Sequence, residues 1–159
     1  IILLITLIIK SVIDNKEDNI VPAGAFLGSM IAFYLFNKYP SKIFEGNIGS
    51  LTFGSLIGCI IVIQDYWWFG FFILFPHTLN FLLWVTWVLK MKKYPKIFLS
   101  NGKHEKFGKL RKDGTIKVPN LLTLKWIPNY FFRIDERKST YISYLFTLIF
   151  CISGLLIFN

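Results

Sequence analysis

Two short stretches of the sequence hold residue types from which a polar reaction centre could be built. The first is the loop sequence PSKIFEGNIGSL, residues 40–51, and the second is the basic sequence GKHEK, residues 102–106. The rest of the chain contains no glycine-rich phosphate loop, no zinc-ligand spacing and no Ser/His/Asp arrangement that sequence alone supports. The common motifs of soluble enzymes are therefore excluded, and these two stretches are the candidates for chemistry.

The composition places both stretches in a membrane protein. The 159 residues are 54% hydrophobic and 17% charged, with a mean hydropathy of +0.53, whereas a soluble domain carries about 25% charged residues. So much apolar surface excludes intrinsic disorder. The two cysteines, Cys59 and Cys151, lie inside apolar runs, which excludes a disulfide-stapled secreted module.

The net charge of +9 is concentrated in one segment. Residues 90–138 hold 14 of the 18 Lys and Arg residues and four of the nine acidic residues. Because the positive charge is confined to one loop of an apolar chain, it indicates a loop beside a membrane and not a nucleic-acid-binding surface.

Uncharged runs predict an all-α, polytopic membrane protein with about five transmembrane helices. A bilayer crossing requires about 20 apolar residues. The predicted crossings are residues 1–13, 20–36, 48–64, 66–89 and 139–159, of which the first is truncated. Because the chain opens on Ile1 inside an apolar run, without a basic flank, we expect this single membrane domain to be the C-terminal part of a longer protein.

The distribution of Lys and Arg predicts the orientation, because cytoplasmic loops are enriched in these residues. Residues 37–47 carry two lysines, and the basic loop 90–138 follows two crossings later, on the same side. The acidic turn at residues 14–19 falls on the opposite side. We therefore predict an integral protein of a cell membrane or ER-type membrane, with loops 37–47 and 90–138 in the cytoplasm.

Small and polar residues suggest how the predicted helices pack. Two stripes of small residues recur at a spacing of four: Gly24, Gly28 and Ala32, then Ser50, Gly54 and Gly58. Such stripes predict close helix packing in lipid, and a substrate groove lined by small side chains is the alternative. His77 and Asn80 share one helix face, where they either line a pocket or form interhelical hydrogen bonds.

The basic loop contains two local signals. The pair Asp113-Gly114 lies between short apolar or β-branched segments and predicts a β-hairpin, because this pair tolerates positive φ. Residues 121–134 are apolar and aromatic but are interrupted by Pro128. They are too short to cross a bilayer and are predicted to lie in the headgroup region.

The first loop resembles a motif of a known enzyme family. PSKIFEGN, residues 40–47, resembles the P-[AS]-x-x-F-x-G-D segment of the polyprenyl-phosphate N-acetylhexosamine-1-phosphate transferases (glycosyl transferase family 4). FPHTLNFLL, residues 75–83, is similar to the Pro-x-x-x-Asn-Phe-Leu helix of the eukaryotic and archaeal dolichyl-phosphate GlcNAc-phosphotransferases. Residues 103–114 fall on the Arg-His-Arg loop and Lys-x-Gly turn of that branch. We expect this branch to be the nearest, and the bacterial phospho-MurNAc-pentapeptide transferases to be more distant.

The resemblance implies transfer of HexNAc-1-phosphate, with GlcNAc as the expected sugar, from a UDP-sugar to a polyprenyl or dolichyl phosphate with release of UMP. Such chemistry depends mainly on positioning and on charge neutralisation. The resemblance implies that Lys103, His104 and Lys106 bind the substrate and that Mg²⁺ is the cofactor. Asn47 stands at the position of a metal-binding Asp of the family. Because the family's paired aspartates lie upstream of this sequence, no catalytic residue is assigned here, and the chain alone is expected to be inactive.

Two departures from the family pattern leave alternatives open. Asn47 lacks the charge of a carboxylate ligand, and it could instead cap the following helix. Glu105 stands at the second Arg of the basic motif, where it would repel a diphosphate. The alternative function is a non-catalytic or degenerate membrane scaffold whose basic loop binds anionic lipid or a cytoplasmic partner. A transporter is disfavoured because no predicted crossing carries a central charge, and a homodimer is left open.

Overall fold

The computed structural model describes residues 1–16, 18, 20–94, 99–100, 103–104 and 108–159, and for residues 99–100 and 103–104 it describes the backbone alone. The described chain is mainly helical. Its helices are α1 Ile2–Ile13, α2 Ile20–Asn37, α3 Gly46–Ile63, α4 Trp67–Ile73, α5 Phe75–Lys93, α6 Ile127–Phe131 and α7 Glu136–Ile157. Its strands are β1 Leu99–Ser100, β2 Lys103–His104, β3 Lys109–Leu110 and β4 Ile116–Lys117, and a 3₁₀ turn spans Leu124–Trp126.

Three of these helices, α2, α3 and α7, are long and apolar enough to cross a bilayer. A fourth crossing results if α4 and α5 form one broken span, and α1 is a shorter apolar helix of 12 residues. Helices satisfy their backbone hydrogen bonds internally, as a chain in hydrocarbon must. The predicted all-α membrane fold is confirmed, while five crossings and their orientation stay predictions.

The predicted crossing at residues 66–89 is wrong as a single helix. Helix α4 ends at Ile73, and α5 begins at Phe75 and continues to Lys93. Pro76 lies in the first turn of α5, where its missing N–H costs no intrahelical bond, but it cannot continue a preceding helix without losing a bond and clashing. The break therefore follows from one proline in an otherwise apolar run.

The described chain forms two compact units, and the first comprises residues 1–74 and 147–159. Helix α1 packs against both α2 and α3. It buries one helical face, formed by Leu3, Leu4, Thr6, Leu7, Lys10 and Ser11. The hydrophobic core that α1 joins contains Leu3, Leu7, Ile57, Ile61, Tyr66, Phe69, Ile73 and Cys151. A helix too short to span alone thus supplies much of the core.

The two stripes of small residues do not pack as predicted. Among the described residues, nothing lies within 4 Å of a Cβ built on Gly24, Gly28, Gly54 or Gly58. Helices α2 and α3 meet instead through aromatic rings: Phe53 lies 5.9 Å from Phe26 and 5.7 Å from Phe33 between ring centroids. The prediction of close packing through these glycines is wrong for the described chain, because large rings hold the two helix backbones apart.

Other glycines do allow close approach in the first unit. A Cβ on Gly70 would lie 2.5 Å from Cγ2 of Ile61, and one on Gly154 would lie 2.9 Å from Cγ2 of Ile73. Helix α4 therefore contacts α3 through Gly70 and the C-terminal part of α7 through Gly154.

Polar side chains cluster at one end of the first unit. The Lys10 ammonium donates to Oδ1 of Asp14 at 2.6 Å, and the Lys16 ammonium donates to the backbone oxygen of Gln64, also at 2.6 Å. The Ser11 hydroxyl lies 3.0 Å from Oε1 of Gln64. These contacts bring the end of α1 to the end of α3, as expected if the intervening α2 runs in the opposite direction.

The electrostatics of this polar end follow from burial and from the ion pair. Burial raises the pKa of Tyr66 to about 12, and the nearby Asp14 carboxylate adds to this shift. For Asp14, burial acts to raise the pKa, but the hydrogen bond from Lys10 and the positive charges of Lys10 and Lys16 outweigh it, so the pKa is lowered. The ionised form of Asp14 is therefore favoured by folding.

The second unit, residues 75–146, contains the predicted hairpin. Strands β3 and β4 pair in antiparallel fashion, with Leu110 opposite Ile116. Gly114 has φ +79° in the turn. The hydroxyl and N–H of Thr115 both donate to Asp113, and these bonds lower the pKa of the Asp113 carboxyl. The hairpin prediction is confirmed, and a second hairpin, β1–β2, was not predicted.

The segment between the β3–β4 hairpin and α7 is held by hydrogen bonds to helices of the same unit. The N–H of Leu124 donates to Oδ1 of Asn80 at 2.9 Å. The Ser139 hydroxyl donates to Oδ1 of Asn129 at 2.6 Å. Asn80 was predicted either to line a pocket or to form a hydrogen bond between helices. It does form a hydrogen bond to another element, but that element is the 3₁₀ turn Leu124–Trp126. His77, on the same face in sequence, is exposed.

We predict that Gly70→Ala destabilises the protein and Gly54→Ala does not. The added methyl group at Gly70 would overlap Ile61, and overpacking of a core typically costs about 1–3 kcal/mol. The free energy of unfolding in detergent micelles, obtained by denaturant titration, measures the difference. Equal stability of the two variants would contradict this packing arrangement.

We predict that Asp14→Asn lowers stability at neutral pH, because it leaves the Lys10 side chain, 7% exposed, without its counter-ion. Breaking a buried pair costs about 3–5 kcal/mol, and the partial exposure of Asp14 places the expected loss at the lower end. Since the pKa of Asp14 is lower in the folded state, its contribution is complete above the unfolded value of about 3.9 and is lost as pH falls through the folded value. The melting temperatures of the wild type and the variant should therefore differ at pH 7 and converge in acid.

Asp65→Asn, at an exposed turn residue with φ +57°, is the matched control. Equal melting temperatures for both variants at pH 7 would refute the role of the ion pair.

Candidate active-site loops

The loop that carries the first motif folds back onto the end of α2. The amide of Asn37 donates to the backbone oxygen of Ile43 at 2.9 Å, and the Ser41 hydroxyl donates to the same oxygen at 2.8 Å. The N–H of Lys42 donates to the backbone oxygen of Phe36 at 2.9 Å. Residues 38–45 thus form a loop, which we term the motif loop. Backbone and side-chain hydrogen bonds hold it against the end of α2.

The start of α3 positions Asn47 on the surface. Gly46 opens the helix with φ +60°, a conformation that side chains rarely adopt. A Cβ on Gly49, one turn later, would lie 2.9 Å from Cβ of Glu45, so this glycine lets the motif loop approach the helix. Asn47 is exposed. Its side chain therefore projects at the junction of the motif loop and α3.

Asn47 does not cap α3, so the capping alternative is wrong. The N-cap position is occupied by Glu45, whose side chain makes no capping hydrogen bond. Asn47 lies inside the first turn, and its backbone oxygen receives a bond from the Ser50 hydroxyl at 3.2 Å. Because the helix begins at Gly46, Asn47 is its second residue and not its cap.

Asn47 offers an amide oxygen, which is an acceptable ligand for Mg²⁺, although Mg²⁺ is usually bound through carboxylate and substrate phosphate oxygens. In the part of the chain that the structure describes, no three His, Cys, Asp or Glu side chains lie close enough together to hold a metal ion. The magnesium site stays a prediction from the family resemblance.

The second motif lies in the second unit. Lys103 and His104 form strand β2, in which Lys103 pairs with Ser100 and His104 with Leu99. Lys106 and Glu105 lie outside the described residues. The structure thus places Lys103 and His104 next to each other on one short strand, whereas Asn47 belongs to the first unit.

Sequence reasoning missed the structural role of Asn37, at the end of α2, and of Ser41, in the motif loop. Both side chains bond to the Ile43 oxygen, and together they determine the path of the loop. Asn and Ser side chains that bond to nearby backbone are frequent in turns, but the family motif begins at Pro40 and so excludes Asn37, and Ser41 was used only as a match to that motif.

Comparison with known proteins agrees with the first motif. Residues 1–65, which include the motif loop and Asn47, match the family model described as glycosyl transferase family 4. A phospho-N-acetylmuramoyl-pentapeptide-transferase of Vesicomyosocius okutanii is 32% identical over 120 residues, 72% of this chain and 31% of that protein. A protein of the same name from Streptococcus uberis is 31% identical over 68 residues, 42% of this chain and 20% of that protein.

An archaeal protein matches more of the chain at lower identity. It is a Methanocaldococcus jannaschii protein provisionally named a glycosyltransferase, 24% identical over 149 residues, 82% of this chain and 46% of that protein. No solved structure matches this chain. In these three comparisons the chain spans between 20% and 46% of the relative's length.

These matches and the apolar helices define an integral membrane protein related to transferases. Residues 1–65 of the chain match the model of glycosyl transferase family 4, and the relatives that match the chain are transferases by name. The prediction that the eukaryotic and archaeal branch is nearest is not supported, because bacterial relatives match at 31–32% identity and the archaeal one at 24%.

We predict that Asn37→Ala loosens the motif loop. Removing the bond to the Ile43 oxygen costs about 1 kcal/mol, so the amide of Lys42 should exchange its hydrogen roughly five times faster. Hydrogen–deuterium exchange of the peptide covering residues 37–46, measured by mass spectrometry, reports this change. Ser29→Ala, which removes an exposed bond to the Ala25 oxygen within α2, is the control. Unchanged exchange in the Asn37 variant would show that the loop is held by other contacts.

Proposed function

We propose that this chain is part of an enzyme that transfers HexNAc-1-phosphate, with GlcNAc as the sugar, from a UDP-sugar to a polyprenyl or dolichyl phosphate in lipid-linked glycan synthesis. The observation that carries the proposal is the family match over residues 1–65, which contains the motif loop and Asn47. The membrane-spanning helices supply a setting in which a lipid phosphate and a soluble nucleotide sugar meet at one surface.

In the proposed reaction, an oxygen of the lipid phosphate attacks the β-phosphorus of the UDP-sugar. A new P–O bond joins the lipid phosphate to the sugar phosphate, and the P–O bond to the leaving UMP breaks. Charge on the transferred phosphoryl group must be neutralised, and the reactants must be held in line. In this chain, Lys103, His104 and Lys106 are the proposed contacts for the diphosphate. Lys103 and His104 form strand β2, and Lys106 lies outside the described residues.

The proposed role of the motif loop is to hold Asn47 in a fixed position. Its path is fixed by the Asn37 and Ser41 bonds, so Asn47 is presented from the first turn of a membrane helix and not from a free loop. A group held by rigid elements keeps its geometry through the reaction. We propose Asn47 as an oxygen contact to a Mg²⁺–diphosphate substrate whose remaining ligands come from outside the described residues.

Asn47→Asp tests this role. In a protein of the relatives' length that contains this chain, we expect the substitution to raise UMP release at limiting Mg²⁺, because a carboxylate adds a full charge where the amide offers a dipole. UMP formed from UDP-GlcNAc and a polyprenyl phosphate is measured over a Mg²⁺ titration. Asn15→Asp, at a turn residue with φ +55°, is the control and should leave turnover unchanged. A fall in turnover for Asn47→Asp would refute metal contact at this position.

The donor is tested in the same assay. UDP-GlcNAc and UDP-MurNAc-pentapeptide are offered in parallel, the second because the bacterial relatives are named for that substrate. Turnover with UDP-GlcNAc alone supports the proposal, and turnover with the pentapeptide donor alone overturns the proposed sugar. Absence of turnover with both donors, in a folded protein of full length, would favour the non-catalytic scaffold.

A further inference from the structure

The first turn of α7 marks one level of the membrane. The helix has 22 residues and is about 33 Å long at 1.5 Å per residue, which matches a hydrocarbon core of about 30 Å. Its first three residues, Glu136, Arg137 and Lys138, are charged and exposed. This end of α7 therefore lies at the boundary between hydrocarbon and headgroups.

The preceding segment is held at the same level. Ser139, 7% exposed, donates to Oδ1 of Asn129, which is 4% exposed. The Ser139 hydroxyl also lies 3.0 Å from the backbone oxygen of Lys125, and the amide of Asn129 donates to the oxygen of Ile134 at 3.2 Å. The Ser139 contacts join Lys125 and Asn129 to the first turn of a membrane helix, and the Asn129–Ile134 bond closes the segment on itself.

The tied segment presents aromatic rings outward. Tyr130, Phe131 and Phe132 are 56%, 66% and 66% exposed. Aromatic side chains are favoured at the membrane–water boundary, where one part of the residue meets acyl chains and the other meets headgroups. Three exposed aromatic residues on a segment fixed at that boundary are therefore placed to enter the lipid.

Cations flank the aromatic tip. Lys125, Arg133, Arg137 and Lys138 are all exposed. Two acidic residues lie nearby: Glu136 is exposed, and Asp135 accepts the N–H of Lys138 at 2.9 Å. Four cations against two acidic residues leave a net positive charge around an apolar centre, which is complementary to a layer of phosphate groups over acyl chains.

We propose that Tyr130, Phe131 and Phe132, together with these four cations, form an anionic-lipid docking surface, which we term the interfacial patch. The tip inserts among the upper acyl carbons, and the cations contact phospholipid phosphates. This inference rests on the placement of α7 and its hydrogen bonds and is independent of the proposed transferase activity. It favours bilayer phospholipid over a soluble protein partner because the tip is held at the level of the membrane.

Selective lipid retention tests the charged part. The full chain is purified in nanodiscs of phosphatidylcholine with phosphatidylglycerol, and lipids that remain bound after transfer to detergent are counted by native mass spectrometry. Each cation near an anionic surface contributes about 1 kcal/mol, so the double variant Arg133→Gln/Lys138→Gln should retain roughly five- to thirty-fold less phosphatidylglycerol. The matched control is Lys112→Gln/Lys117→Gln, two exposed residues of the β3–β4 hairpin. Equal loss in both double variants, or retention of added polyprenyl phosphate but not of phosphatidylglycerol, would overturn the proposal.

Depth measurement tests the aromatic tip. A nitroxide is attached at Phe131→Cys in a Cys59→Ala background, since Cys59 is exposed and Cys151 is buried. We expect the label to be more accessible to oxygen than to a water-soluble nickel chelate, with a depth shallower than that of a label at Ile149→Cys within α7. A label at residue 131 with the accessibility of a free aqueous nitroxide would overturn the proposal, whatever the enzymatic activity of the protein.

Discussion

The hydrocarbon interior cannot offer hydrogen-bond partners, and this constraint decides where polar contacts occur in the described chain. The Lys10–Asp14 pair lies at the end of α1, and the Asn37–Ile43 bond lies at the end of α2. The Ser139–Asn129 bond lies at the start of α7. Side chains at helix ends join one segment to the next in these three contacts, and Asn80 within α5, which accepts the N–H of Leu124, is an exception from a helix interior.

The same constraint shapes the packing of the first unit. Without a strong hydrophobic drive between helices in lipid, close contact depends on shape. Close contact occurs where a glycine faces a branched side chain, as Gly70 faces Ile61. Where α2 and α3 meet through Phe26, Phe33 and Phe53, the rings fill the space and the nearby glycines stay uncovered. Spacing along a helix thus identifies a face, but the side chains opposite determine whether that face is used.

The membrane fold could be predicted because each of its signals is local. Uncharged runs identify membrane helices by length, and Asp113-Gly114 identifies a hairpin by the φ angles that a tight turn requires. The break before Pro76 was equally local and could have been found, since proline disfavours a continuous helix through its position. The break was missed because the prediction of this crossing used hydropathy alone, and the run is apolar on both sides of Pro76.

The arrangement of the candidate site could not be read in the same way, because its defining contacts join residues whose pairing depends on the path of the chain. The bonds from Asn37 and Ser41 to one oxygen depend on how the loop folds back on α2. The contact between Leu124 and Asn80 spans 44 positions in sequence. A motif comparison identified Asn47 through its family position, but its place in the first turn of α3 depends on Gly46 and its positive φ.

Under the proposed function, the two departures from the family pattern concern opposite charges of the substrate. An amide at Asn47 attracts a cation less than a carboxylate does, and Glu105 at an arginine position repels a diphosphate. Lys103 and Lys106 are then the proposed cations for the diphosphate. Asn47 is proposed to act from a fixed position in the first turn of α3, and the bonds from Asn37 and Ser41 that hold the motif loop are the described feature on which this part of the proposal rests.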